Sequence, residues 1–157
     1  MSIIARTQEI DDFWAAARLQ VDGLPSEPAE AWAFGATREH ADELLALVLD
    51  GTKTGTAAAL WDHEATGERV PEADDLNIIL DGAEMPRALI RTTSIRIVPF
   101  DQVDEEHAHA EGEGDRTLTA WREIHERFWR TYGESGRGFA PDMPVICERF
   151  EVVWAAA

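Results

Sequence analysis

Apolar positions recur every three or four residues in three stretches of the chain, and each stretch is framed by signals that start and stop helices. Residues 7–21 place Ile10, Phe13, Trp14, Ala17 and Val21 on one side behind Thr7, a good N-terminal cap. Residues 38–50 repeat the pattern with Ala41, Leu44, Leu45 and Val48 behind Thr37, and Gly51 stands where a left-handed C-terminal residue belongs. Behind Thr117, Leu118, Trp121, Ile124, His125, Phe128 and Trp129 predict a further helix that ends at Gly133. Between 56 and 99 the period shortens to β-rich runs at 56–61, 76–80 and 88–98. Asp81-Gly82 marks a hairpin whose six-residue connection leaves the register open. Trp32-Ala33-Phe34-Gly35 reads as a short strand entering a turn, and residues 145–154 as a buried closing strand. Helices set around a mainly antiparallel sheet give an α+β class. No linker-like tract divides the chain, so one domain is expected over 1–157, with a helical extension over about the first 30 residues.

No apolar run approaches the ~18–20 residues of a bilayer span, the start of the chain lacks the pattern of a secretory signal, and Cys147 has no partner cysteine. A cytoplasmic location without membrane partners is the expectation. The formal charge of −17, from 31 acidic and 14 basic residues, opposes extended nonspecific nucleic-acid binding, which needs several phosphates neutralised by cations. A small ligand escapes that objection.

Thirteen of the 14 cations are arginine; Lys53 is the only lysine. A desolvated lysine can give up its proton and act as base or nucleophile, which arginine effectively cannot do. Lys53 lies in Gly51-Thr52-Lys53-Thr54-Gly55-Thr56, which is no nucleotide-triphosphate loop: Thr52 precedes the lysine and a helix, not a strand, leads in. Residues three apart point to opposite faces of an ideal strand, so Lys53 and Thr56 meet only if the backbone turns between them, as Gly55 permits. A Lys53 amine could then take the Thr56 hydroxyl proton. The plainer reading is a polar turn closing a helix.

Glu111-Gly112-Glu113-Gly114-Asp115 gathers three carboxylates, and like-charged neighbours raise a carboxyl pKa toward that of a general acid. The plainer reading is a solvated acidic loop favouring the helix that follows. His107-Ala108-His109-Ala110-Glu111 alternates as metal ligands on a strand do, but no outside ligand is apparent, and neither metal nor cofactor is expected. His125 reads as a structural histidine beside an apolar stripe and Cys147 as a core thiol. Gly133-Glu134-Ser135-Gly136-Arg137 lacks the final glycine of a serine-hydrolase elbow.

Taken together, the motifs resemble the ASCH domain family, and in particular its longer bacterial members. The resemblance is carried by Trp32-Ala33-Phe34-Gly35, Ala41-Asp42-Glu43-Leu44, the Lys53 segment, Leu80-Asp81-Gly82, Ile90-Arg91-Thr92-Thr93, Pro99-Phe100, the 111–115 loop, Trp121-Arg122-x-x-His125 and Asp142-Met143-Pro144. It implies a small PUA-like β-barrel, mainly antiparallel, with surrounding helices, and a role in RNA or modified-nucleoside biology. Family members described as amidohydrolases of acetylcytidine use a Lys base, a Thr nucleophile three residues later and a Glu proton donor; others are described as ribonucleases or RNA-binding modules. Carried over, Lys53 is the base, Thr56 the nucleophile, and Glu111, then Glu113, the proton donor. Thr54, Gly55, Asp115, Trp32 and Arg91 fall at substrate-binding positions. The chain departs from the common motif, which has an acidic residue at the Thr56 position and a nearby Arg where Ala57 and Ala58 follow here. The partner implied is a small nucleoside or RNA.

Overall fold

The computed structural model describes residues 3–156. Its elements run α1 (Gln8–Gln20), β1 (Glu30–Trp32), α2 (Arg38–Leu49), β2 (Gly55–Ala59), α3 (Leu60–Thr66), β3 (Leu76–Leu80), β4 (Pro86–Pro99), a 3-10 turn (Phe100–Gln102), α4 (Glu105–Glu111), α5 (Leu118–Tyr132) and β5 (Pro144–Ala155). The strands form one mixed sheet in the order β1-β3-β4-β5-β2, so the class is α+β. The chain divides into two compact units.

The first unit comprises Met1–Gly51, Asp74–Arg91 and Glu151–Ala157. Thr7 and Thr37 cap α1 and α2 by accepting from the amides of Ile10 and His40, contacts worth about 1 kcal/mol each. The apolar stripe of α1 packs Ile10, Phe13, Trp14 and Ala17 with Ile78, Leu80 and Leu89 of the β3–β4 hairpin. The hairpin is antiparallel, with Leu76 opposite Arg91 and an irregularity between Ile79 and Leu80. That irregularity settles the register which the long connection left open. β1 pairs with β3 in parallel, Trp32 opposite Ile79.

The second unit comprises Thr52–Ala73 and Thr92–Phe150. β2 and β5 are antiparallel, with Gly55 opposite Arg149 and Thr56 opposite Glu148. The run expected as strand over 56–61 leaves the sheet at Ala59, and Leu60 starts α3, which ends at the left-handed Gly67. Thr117 caps α5 through the amide of Ala120. The core collects Phe100, Ala108, Trp121, Trp129, Met143 and Val145, with ring pairs Phe100–Trp121 at 5.3 Å and Trp121–Trp129 at 6.3 Å between centroids. Cys147 is buried in this core, as its strand pattern implied.

The segment 105–111, read from sequence as strand-like alternation in an acidic loop, is instead the helix α4. Asp104 caps it by accepting from the His107 amide, and Gly112 ends it at φ 73°. His107 and Glu111 are therefore four residues apart on one helical face, while His109 is exposed.

Candidate functional site

Everything in the site belongs to the second unit. The Lys53 segment is clamped from two sides: the Thr54 amide donates to the Ala110 carbonyl at 2.7 Å, and the Phe150 amide donates to the Thr54 carbonyl at 3.0 Å. Gly112 makes the clamp close, because a Cβ there would lie 2.8 Å from the Thr52 carbonyl oxygen. Arg116 donates from Nη2 to the carbonyls of both Thr52 (3.2 Å) and His109 (2.9 Å), tying the end of α4 to the residue just before Lys53.

This clamp buries the only lysine. Lys53 is 2% exposed, and its Nζ donates toward the Glu111 carbonyl at 3.3 Å and Oε1 at 3.5 Å, with Glu113 Oε2 at 3.8 Å. Around Glu111 the donors are complete. Oε2 receives His107 Nε2 at 2.8 Å and the indole N–H of Trp121; Oε1 faces His125 Nε2 at 3.3 Å as well as Lys53. His125 Nδ1 donates to the Trp121 carbonyl at 2.8 Å and Nε2 faces the carboxylates, an arrangement that favours the doubly protonated, cationic ring. Its plane stacks on Trp121 at 4.2 Å, a favourable seat for that charge.

The two glutamates respond oppositely. Burial alone would push Glu111 up, but the charges of His125 and Lys53 and the hydrogen bonds from His107 and His125 outweigh it and hold the carboxyl well below its ordinary range. For Glu113, burial prevails, helped by repulsion from Glu111, and its pKa rises despite Lys53 and His125 nearby. In His125 burial works to lower the pKa, but Glu111, Glu113 and the Trp121 carbonyl win and raise it.

Glu111, Glu113 and His125 each offer a ligand atom within 4.8 Å of one another, the one such group among the described residues. A divalent cation there would have to compete with the ammonium of Lys53 and draw Glu111 oxygens from four existing donors. Lys53 already supplies the positive charge.

Of the residues named from sequence, the structure brings Lys53, Glu111 and Glu113 together. Thr56 follows in β2, half-buried and, among the described residues, without a hydrogen bond to Lys53, directly across the ladder from Glu148, whose carboxylate accepts from Thr92 Oγ1 at 2.8 Å. Gly55 is buried and closely packed, with a hypothetical Cβ 3.1 Å from the Glu148 carbonyl oxygen. Thr54 is exposed and bonded to α4. Asp115 is exposed and accepts from the Thr117 amide and hydroxyl, which lower its pKa. Trp32 and Arg91 belong to the first unit: the Trp32 indole donates to Asn77 Oδ1 at 2.8 Å, and Arg91 is paired with Glu151. The contacts of His107, Trp121 and His125 with the Glu111 carboxylate were not identified from sequence. The signal was present as four-residue spacings, His107 to Glu111 and Trp121 to His125, once 105–111 is recognised as a helix between Asp104 and Gly112.

The mixed α+β sheet with its surrounding helices matches an ASCH, PUA-like fold. The ASCH domain model matches residues 30–154, and the chain belongs to that family. It is similar to a crystallised Enterococcus faecalis V583 protein of family DUF984, at 36% identity over 93% of this chain and 88% of that one, with a TM-score of 0.84. It is also similar to an ASCH domain from Lactobacillus crispatus JV V101, at 28% identity over 94% and 95% of the two chains, with a TM-score of 0.83. No curated protein matches the chain significantly.

Proposed function

We propose that this chain is an amide hydrolase acting on a small N-acylated pyrimidine nucleoside of the acetylcytidine type. One observation carries the reading: two glutamates within reach of the same buried lysine have environments that push their pKa values apart. Glu111 is fixed as the ion that holds Lys53 and His125 in place. Glu113, with its raised pKa, is the group that can hold a proton and deliver it. This reverses the order in which sequence and resemblance ranked the two.

In the resting structure Lys53 is paired with Glu111 and lies near Glu113; the reaction proceeds from the form in which one proton has passed from Lys53 to Glu113. The Thr56 hydroxyl oxygen attacks the acyl carbonyl while Lys53 takes its proton. Glu113 then protonates the departing amine as the C–N bond breaks, leaving an acyl ester on Thr56. Water attacks that ester, giving its proton to the Glu113 carboxylate, and Lys53 returns its proton to the Thr56 oxygen as the ester bond opens. The products are the free nucleoside and a carboxylic acid, with Lys53 and Glu113 restored. The net charge of −17 favours such a small uncharged substrate over a polyanion.

The buried ion pair also supports a second reading, a noncatalytic nucleotide- or RNA-binding module in which the Lys53–Glu111 cluster serves structure. Acyl release separates the two. Turnover of acetylcytidine that is lost in Lys53→Arg with the fold intact supports the hydrolase. RNA affinity falling steeply with salt, without turnover of any acylated nucleoside, supports the binding module.

A further inference from the structure

His107 has two nitrogens and the cluster uses one. Nε2 is committed to Glu111, whereas Nδ1 is one of two buried side-chain polar atoms among the described residues that have no hydrogen-bond partner. A ring nitrogen so placed, in a residue with no exposed surface, carries a desolvation cost unless a ligand answers it. His107 also forms part of the wall of a separate cavity of about 270 Å³, together with Ser94 and Arg96 from β4 and Cys147 and Arg149 from β5. Ser94 and Arg96, like Cys147 and Arg149, are alternate residues of their strands, the spacing that turns side chains to one face.

The wall is rich in anion donors: two guanidinium groups, a hydroxyl and the histidine. Asp104 and Glu106 are present too, but as weak competitors. Arg96–Asp104 is a half-exposed pair at 3.2 Å, and Arg149–Glu106 spans 3.6 Å with Glu106 83% exposed. Pairs of that kind contribute about 0–1 kcal/mol, so a bidentate oxyanion can draw the two guanidinium groups from them, while Asp104 stays on the His107 amide as the cap of α4. Cys147 is no nucleophile here, because burial, seconded by the charge of Glu111, pushes its thiol up to about 12.

We propose that this cavity binds a phosphate monoester or free hydrogen phosphate. The arginines and Ser94 donate to its anionic oxygens, and its hydroxyl completes the hydrogen bonding of His107 at Nδ1. An oxyanion that can both donate and accept is the chemical class this wall fits. Since the opposite nitrogen of the same ring holds Glu111, the ligand would set the orientation of that carboxylate. The site is independent of which reaction, if any, the Lys53 cluster performs.

The test is isothermal titration of the full chain with inorganic phosphate, a ribonucleoside monophosphate and dimethyl phosphate at matched ionic strength, with the His107 ring nitrogens followed by NMR. Inorganic phosphate should bind and shift the Nδ1 resonance, and dimethyl phosphate, which has no hydroxyl to give, should bind at least about tenfold more weakly. Tighter binding of the monophosphate would identify a nucleotide as the source of the group, and weaker binding would identify free phosphate. Arg96→Gln with Arg149→Gln, both at partly exposed positions, should weaken binding by about tenfold or more while leaving the thermal midpoint without phosphate unchanged. Wild-type binding that leaves the His107 Nδ1 signal unmoved, equal affinity in the double variant, or equal affinity for dimethyl phosphate would each overturn the proposal. So would absence of phosphate binding. None of these results depends on acyl hydrolysis.

Discussion

Lys53 and Glu111 form an ion pair in which each side chain is only 1% exposed, with Nζ 3.5 Å from Oε1. At that burial, removing one partner leaves the other charge uncompensated. Glu111→Ala strands Lys53, His107, Trp121 and His125 around an apolar gap, and should cost about 3–5 kcal/mol in urea denaturation. A loss below about 1 kcal/mol, the ceiling for an exposed pair, would show that water reaches the cluster freely.

The opposed pKa shifts give stability a definite pH dependence. Glu111 has a folded pKa well below its ordinary 4.5, so its contribution is present above that value and disappears as pH falls through the folded pKa. His125 has a folded pKa above its ordinary 6.5, so its contribution is complete below 6.5 and fades as pH rises through the folded value. Denaturation of the wild type and His125→Gln across pH should therefore show a gap that is widest in mild acid and narrows in base. A gap that widens with pH contradicts the assignment of a cationic His125.

Gly112 ends α4 at φ 73°, with the Thr52 carbonyl where a side chain would stand. Gly112→Ala combines a left-handed backbone, about 1–2 kcal/mol for a residue with a Cβ, with a clash that must move Thr52. The expected outcome is a lower thermal midpoint and, through Lys53 next in sequence, a larger loss of turnover than that midpoint shift alone explains. Unchanged midpoint and turnover would mean that the clamp is slack.

Cys147 offers a check on the core. With its thiol pushed up to about 12 by burial and by Glu111, alkylation in mildly basic solution should follow global unfolding rather than precede it. Pulsed alkylation over a urea series should therefore track the loss of tryptophan fluorescence. Rapid labelling in the absence of urea would contradict a packed β5.

The helices were legible because their signals are local: Thr7, Thr37 and Thr117 cap α1, α2 and α5 where the apolar period begins. The β3–β4 hairpin was legible for the same reason, but its register was not, since the irregularity between Ile79 and Leu80 falls within the run 76–80, which holds no glycine or proline to mark it. α4 was hidden because seven residues give too few turns for a period to show, and His107-Ala-His109-Ala-Glu111 satisfies the strand template equally well. That misreading concealed the site's inner half, for only on a helix do His107 and Glu111 meet. It also left the roles of Glu111 and Glu113 unresolved, because a carboxyl's protonation is decided by donors from α5 and the Lys53 segment, distant in sequence. Lys53 itself stood out by composition alone.

The most direct test of the hydrolase reading is release of free cytidine and acetate from acetylcytidine by the wild type, Lys53→Arg and Glu113→Gln, with folding of each confirmed by circular dichroism. The wild type should turn over, and each variant should lose about 10²–10⁴-fold in rate, the usual contribution of a positioned proton-transfer group. No turnover of acetylcytidine or of a panel of acylated nucleosides by the wild type, or undiminished turnover in Glu113→Gln, would contradict it.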